Sequence, residues 1–145
     1  MINELHIDFL KGLKHMSNLK FRAPQSARTK DLLDRALQLA KTSKYRHQHG
    51  AIIVKNGNVI SQGVNYKVNN PRQITDPKTG AGIHAEVAAI KASRGADLNG
   101  AVIYVARVSK CGDPVMSKPC DRCQNSLREA GIKKVYYTID SEMDL

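Results

Sequence analysis

The 145-residue chain has no tryptophan, and aromatic residues make up 5% of it. Proteins that hold single-stranded nucleic acid normally use several aromatic stacking faces. The scarcity therefore weighs against a polynucleotide binder, although Tyr45, Tyr66 and Tyr104 are available. No apolar run approaches the ~20 residues needed to span a bilayer, which excludes a transmembrane helix. The first residues include Glu4 and Asp8 and no long apolar stretch, which argues against a secretory signal. Cysteine is scarce too. Three cysteines cannot make a fully paired disulfide framework, and two of them stand as Cys120-x-x-Cys123. Without secretory features, that spacing reads as metal binding or redox chemistry rather than stapling. A reducing, cytoplasmic setting is expected, with no membrane partner.

Acid is the scarce charge: 13 Asp and Glu against 23 Lys and Arg leave a net charge of +10. The cations are spread along the chain, while Asp140, Glu142 and Asp144 form a small acidic tail. A basic surface concentrates phosphate-bearing partners, from nucleotides to nucleic acid. It also serves solubility alone, so charge supports a phosphorylated substrate without establishing one.

What remains is the pattern of a single α/β domain, long enough to bury a core without staples. Residues 1–26 read as an N-terminal extension, irregular and basic in its second half, where Leu5, Ile7, Phe9, Leu10 and Leu13 could form a docked helical turn or two. Met16 offers an alternative start. Residues 27–145 read as the domain itself. Leu33, Ala36, Leu37 and Ala40 are spaced for an amphipathic helix over Thr29 to Lys44. Ala51 to Val54 and Val59 to Val64 are short β-prone runs joined by Asn56-Gly57, a strong hairpin signal. Residues 65–82, with Pro71, Pro77, Gly80 and Gly82, form a long loop of the kind that walls a site. A helix from about His84 to Ser93, a strand from Ala101 to Val108, a helix from Pro119 to a Gly131 cap and a strand from Lys133 to Ile139 complete the order. The alternation in the second half implies parallel neighbours joined by right-handed crossovers.

Two segments carry chemistry: His84-Ala85-Glu86 opening one helix and Pro119-Cys120-Asp121-Arg122-Cys123 opening another. A catalytic zinc takes three protein ligands and leaves a fourth position for water. His84, Cys120 and Cys123 are suitable donors, and residues i and i+3 share a helix face. Helix N-termini favour thiolate over thiol. Glu86 stands in an otherwise apolar stretch and is the candidate proton shuttle. Other readings stay open at this point. A lone C-x-x-C also suits a redox pair, which has no need of His84 or Glu86. A closed structural zinc site would take a fourth ligand from Cys111, His47 or His49, and a non-catalytic zinc-stabilised binding module, a further reading, is disfavoured by the intact Glu86. Cys111 otherwise reads as a loop thiol, and His47 and His49 as surface groups or supports behind the ligands.

The two motifs, with Gly50-Ala51-Ile52-Ile53-Val54 and Gly63-Val64-Asn65, resemble the cytidine and deoxycytidylate deaminase superfamily over about residues 28–139. The pairing of H-x-E with P-C-x-x-C is the signature of zinc nucleobase deaminases. The resemblance implies a three-layer α/β/α sandwich with a mixed sheet of four to five strands and a bound Zn²⁺. It also implies hydrolytic deamination of a cytosine nucleoside or nucleotide, with dCMP to dUMP the best single expectation. It makes Asn65 a substrate-binding candidate, with Ala85 and Ser117 beside it. Two departures stand out: residues 107–118 intervene before Pro119, with a turn at Gly112-Asp113-Pro114 suggesting a hairpin at the mouth of the site, and only four strands are clear where the family core has five. An incomplete sheet has an edge to cover, so a homo-oligomer is expected. A polynucleotide deaminase acting on single strands or tRNA is the alternative, which keeps nucleic acid as an alternative partner.

Overall fold

The computed structural model describes residues 2–6, 17–19, 26–67 and 82–140. The backbone forms strands β1 (Ile2–His6) and β2 (Ser17–Leu19), helix α1 (Ala27–Ala40), and strands β3 (Gln48–Lys55), β4 (Asn58–Val64), β5 (Tyr66–Lys67) and β6 (Gly82–Ile83). Helix α2 (Ala85–Ala92), strands β7 (Val102–Val108) and β8 (Pro114–Val115), helix α3 (Asp121–Ala130) and strand β9 (Lys134–Thr138) follow. The main sheet runs β2-β1-β9-β7-β3-β4, with short β8 pairing β7. Its five long strands are β1, β9, β7, β3 and β4. The sheet is mixed: β7 and β9 are parallel, joined through α3, whereas β3 is antiparallel to both β4 and β7.

The near-continuous apolarity of β7 places it centrally, between β3 and β9. Alternation then sorts the side chains onto two faces. Ile52, Val54, Tyr104 and Ala106 pack under Leu32, Leu33 and Ala36 of α1. Ala51, Ile53, Ile103 and Val105 face Ala85 and Ala89 of α2 and Leu127 of α3. The result is the expected three-layer sandwich.

Most local expectations hold within a few residues. The β3–β4 connection has both Asn56 (φ 52°) and Gly57 (φ 80°) in the left-handed region, as a two-residue primed turn requires. Helix α1 starts earlier than expected, at Ser26, whose side chain accepts from the Thr29 N–H at 3.1 Å, and ends at Ala40 rather than Lys44. The 107–118 segment does form a hairpin, with Arg107 opposite Val115 and Val108 opposite Pro114. Of the long loop, residues 66–67 and 82–83 pair as a two-stranded tie, and residues 68–81 lie outside the described residues.

One expectation is corrected. Residues 2–6 of the lead are not irregular: β1 is a strand paired antiparallel with β9, from Ile2 opposite Thr138 to His6 opposite Lys134, while Ile7, Phe9, Leu10 and Leu13 of the expected helical turn lie outside the described residues. Antiparallel pairing with β9 extends the sheet, so the strand missing from the sequence reading is supplied by the lead.

Two glycines set how close the helices come. A Cβ on Gly50 would lie 2.6 Å from the Ala36 carbonyl oxygen of α1, and one on Gly63 would lie 2.5 Å from the Ala89 nitrogen of α2. Neither neighbour is a flexible side chain that could yield. Gly63→Val is therefore expected to destabilise the fold by at least about 1–3 kcal/mol, seen as a lower urea midpoint at unchanged slope. An unchanged midpoint would mean that α2 is not seated on β4.

Candidate active site

The chain enters α2 through β6 and enters α3 through the Ser117–Cys120 turn. His84 and Cys120 occupy the N-cap positions of these helices with extended backbones (ψ 153° and 167°), and neither side chain caps its own helix. Both are turned toward each other instead. His84 Nδ1 lies 3.1 Å from Cys123 Sγ and 3.7 Å from Cys120 Sγ. One donor atom from each of His84, Cys120 and Cys123 falls within 4.8 Å of the others. In a tetrahedral zinc site with Zn–N near 2.05 Å and Zn–S near 2.3 Å, N and S stand roughly 3.5 Å apart. The donor set therefore fits zinc. Among the described residues, Cys111, His47 and His49 are not part of this cluster, which favours an open three-ligand site over a closed structural one.

The thiols behave as a coupled pair. Hydrogen bonds from Cys123 and His84 hold Cys120 down to about 4. Cys123 is pushed far above the ordinary thiol range, by its hydrogen bond to Cys120 and by burial. Glu86 is 4% exposed, and burial raises its carboxyl above the ordinary value of 4.5. Its hydrogen bond to its own backbone and the charge of His84 oppose that rise, while the charge of Cys120 adds to it.

His84, Glu86 and Cys120 line a cavity of about 310 Å³ with Tyr45, His47, His49, Asn65, Arg107, Ser117 and Lys118, and Cys123 lies behind it. That size is near the lower end of small-molecule pockets, about 300–1,000 Å³. The expected substrate-binding residues fare unequally. Asn65 lines the cavity, but its Oδ1 accepts from Ser43 Oγ (2.7 Å) and the His49 N–H (2.9 Å), and its Nδ2 donates to the His47 carbonyl. It therefore fixes the entry into β3 and keeps one amide N–H to offer. Ser117 also lines the cavity, yet its hydroxyl donates to the Val105 carbonyl (2.9 Å) and accepts from the Thr138 N–H (2.9 Å). Its hydroxyl is committed to holding the turn. Ala85 is fully buried in the core and does not line the cavity.

His47 and His49 are more than surface groups, since both line the cavity. Burial, reinforced by the charges of Arg107 and His84, lowers His49 to about 4, so its ring is neutral near pH 7. Arg107 and Lys118 appeared in sequence only as the bounds of an insertion. A charged residue inside the apolar run Val105-Ala106-Arg107-Val108 was the available signal.

The sequence matches the family model described as "Cytidine and deoxycytidylate deaminase zinc-binding region" over residues 26–139. Among solved structures, the dCMP deaminase from the cyanophage S-TIM5 superposes with a TM-score of 0.60 at 24% identity, covering 83% of this chain and 90% of that one. A mutant cytidine deaminase from Mycobacterium tuberculosis gives a TM-score of 0.50 at 25% identity, covering 70% and 75%. The guanine deaminase from Bacillus subtilis gives 0.50 at 28% identity, covering 78% and 65%. No curated protein matches the chain.

Metal binding must remove the proton that Cys123 retains. Zinc affinity is accordingly expected to rise with pH, by about tenfold per unit for each proton released, and to collapse in Cys123→Ser. Competition against a chromophoric chelator between pH 6 and 8 measures both effects. A pH-independent affinity would mean that Cys123 is not a ligand.

Proposed function

The chain belongs to the cytidine and deoxycytidylate deaminase family, and from that premise we propose that it hydrolyses the amino group of a cytosine nucleoside or nucleotide, dCMP being the best single candidate. The observation that carries this reading is the buried Glu86 carboxyl beside a three-donor cluster at the converging starts of α2 and α3. His84, Cys120 and Cys123 are its metal ligands. Zinc held there supplies Lewis acidity, which brings the pKa of water from ~16 toward ~7.

The chain's own residues do the rest. Glu86, with its proton affinity raised by burial, accepts a proton from the hydrolytic water. It passes that proton to the ring nitrogen as the water oxygen bonds to the amino-bearing carbon, then takes the second proton from that oxygen and gives it to the amine as the C–N bond breaks, so one carboxyl serves both as base and as acid. Asn65 orients the base with its remaining amide N–H. The neutral His49 adds a wall without competing for the proton. The ligand is a free mononucleoside or mononucleotide: among the described residues Tyr45 is the one Phe, Tyr or Trp lining the cavity, whereas a bound single strand uses several stacking faces. Edge strand β4, with Val59 and Ile60 each 37% exposed, is the face a second copy would cover in a homo-oligomer. Among the described residues, no helix is long and apolar enough to cross a membrane.

Glu86→Gln is expected to keep zinc and fold while ammonia release from dCMP falls about 10²–10⁴-fold. Stability carries a second signature. Because the folded pKa of Glu86 lies above its unfolded value, the folded metal-free protein binds the extra proton and loses stability as pH rises from about 4.5 through the folded value. Glu86→Gln should flatten that decline in urea melts. A variant that loses zinc instead would make Glu86 a ligand and overturn the shuttle role.

A further inference from the structure

The donor cluster and Glu86 account for the reacting end of the cavity. They leave unused a second group of lining residues drawn from three separate segments: His47 ahead of β3, Arg107 on β7, and Lys118 ahead of α3. Cross-strand register places His49 directly opposite Arg107, so the segment carrying His47 runs beside the Arg107 side chain. Arg107 Nη2 donates to His47 Nδ1 at 3.1 Å. A nitrogen that accepts this bond leaves the proton on the other ring nitrogen, so His47 presents a donor at Nε2. Arg107 Nε is buried and, among the described residues, has no hydrogen-bond partner. Lys118 adds a second permanent cation. Among the described residues, the only carboxylate lining the cavity is Glu86, which is buried beside the metal-ligand cluster.

Every polar end in this second group is therefore a donor, and two of the three residues carry fixed charge. A base edge presents mixed donors and acceptors, and a sugar hydroxyl does both. A phosphate presents acceptors only and matches a planar guanidinium fork. We propose that Arg107, with His47 and Lys118, is a phosphate clamp that restricts the cavity to 5′-monophosphates of free nucleotides. The clamp rests on the deaminase reading for the occupant of the cavity. It goes further in assigning the choice of phosphorylated over unphosphorylated substrate to residues that bound the 107–118 hairpin. Arg107 is a specificity-determining residue. It moves no proton.

The full-length, zinc-loaded protein is assayed for ammonia release from dCMP, deoxycytidine and a cytosine-containing oligonucleotide. Binding of dUMP and deoxyuridine, which needs no chemistry, is measured by calorimetry. The wild type should prefer each mononucleotide over its nucleoside, and inorganic phosphate should compete with dUMP. Charge-assisted hydrogen bonds contribute enough that Arg107→Gln should shrink the nucleotide-to-nucleoside preference about 10- to 100-fold. Lys118→Gln, on an exposed side chain, should shrink it less and serves if Arg107→Gln fails to fold. No preference in the wild type would overturn the clamp. So would equal weakening of dUMP and deoxyuridine in Arg107→Gln, which would make the residue a support for the cavity wall, or preference for the oligonucleotide over dCMP. If neither dCMP nor deoxycytidine reacts, the cytosine reading fails by itself. The clamp is then judged on dGMP against deoxyguanosine binding, where loss of a preference in Arg107→Gln supports it and absence of any preference refutes it.

Discussion

Helix α2 lies with Ala88 and Ala89 against the bare backbone of Gly63, and Ser61 of the same strand donates to the Ala89 carbonyl at 2.7 Å. That contact fixes the helix in height and rotation on the sheet. His84 and Glu86 follow from it, since they stand at the N-cap and in the first turn of that helix. A helix lifted by the width of one methyl group would carry the imidazole and the carboxyl away together. His84 and Glu86 are thus positioned by a glycine packed against the next turn of the helix.

The thiolate side is held by a different device. Ser117 and Thr138 exchange hydroxyl and backbone bonds across β7 and β9, with Ser117 N–H donating to the Thr138 carbonyl at 3.0 Å and Thr138 Oγ1 donating to the Val115 carbonyl at 2.7 Å. This polar knot is buried, with Ser117 and Thr138 4% and 2% exposed. Buried polar groups that are fully satisfied specify one arrangement and resist others. The knot fixes where the chain turns into Pro119 and Cys120, and so where α3 begins. Apolar close packing sets one half of the candidate site, and a hydrogen-bond network sets the other.

The parts legible in the sequence were those with local causes. The helical spacing of α1, the Asn56-Gly57 turn, the Gly131 cap and the two ligand-bearing helix starts each follow from a few adjacent residues. What stayed hidden depended on contacts distant in the chain. Ile2–His6 has no strand-like alternation of its own and becomes a strand because β9 offers it an edge. Ser117 and Asn65 stand where the family resemblance places substrate contacts, but most of their hydrogen-bonding groups are committed to the protein. No local pattern reveals that commitment. The pairing of Arg107 with His47 likewise depends on the register between β3 and β7, which sequence spacing does not encode.

The pairing of β1 with β9 also shapes how the chain comes to be folded. The first strand in sequence order finds its place beside the last, in register from Ile2 opposite Thr138. At ribosomal rates of roughly 5–20 residues per second, β1 emerges on the order of ten seconds before its partner exists. Closure of so long a loop is a slow step governed by topology. During synthesis the β9-facing edge of β1 stays open, with only β2 available to pair the other, and the sheet closes only once β9 has emerged.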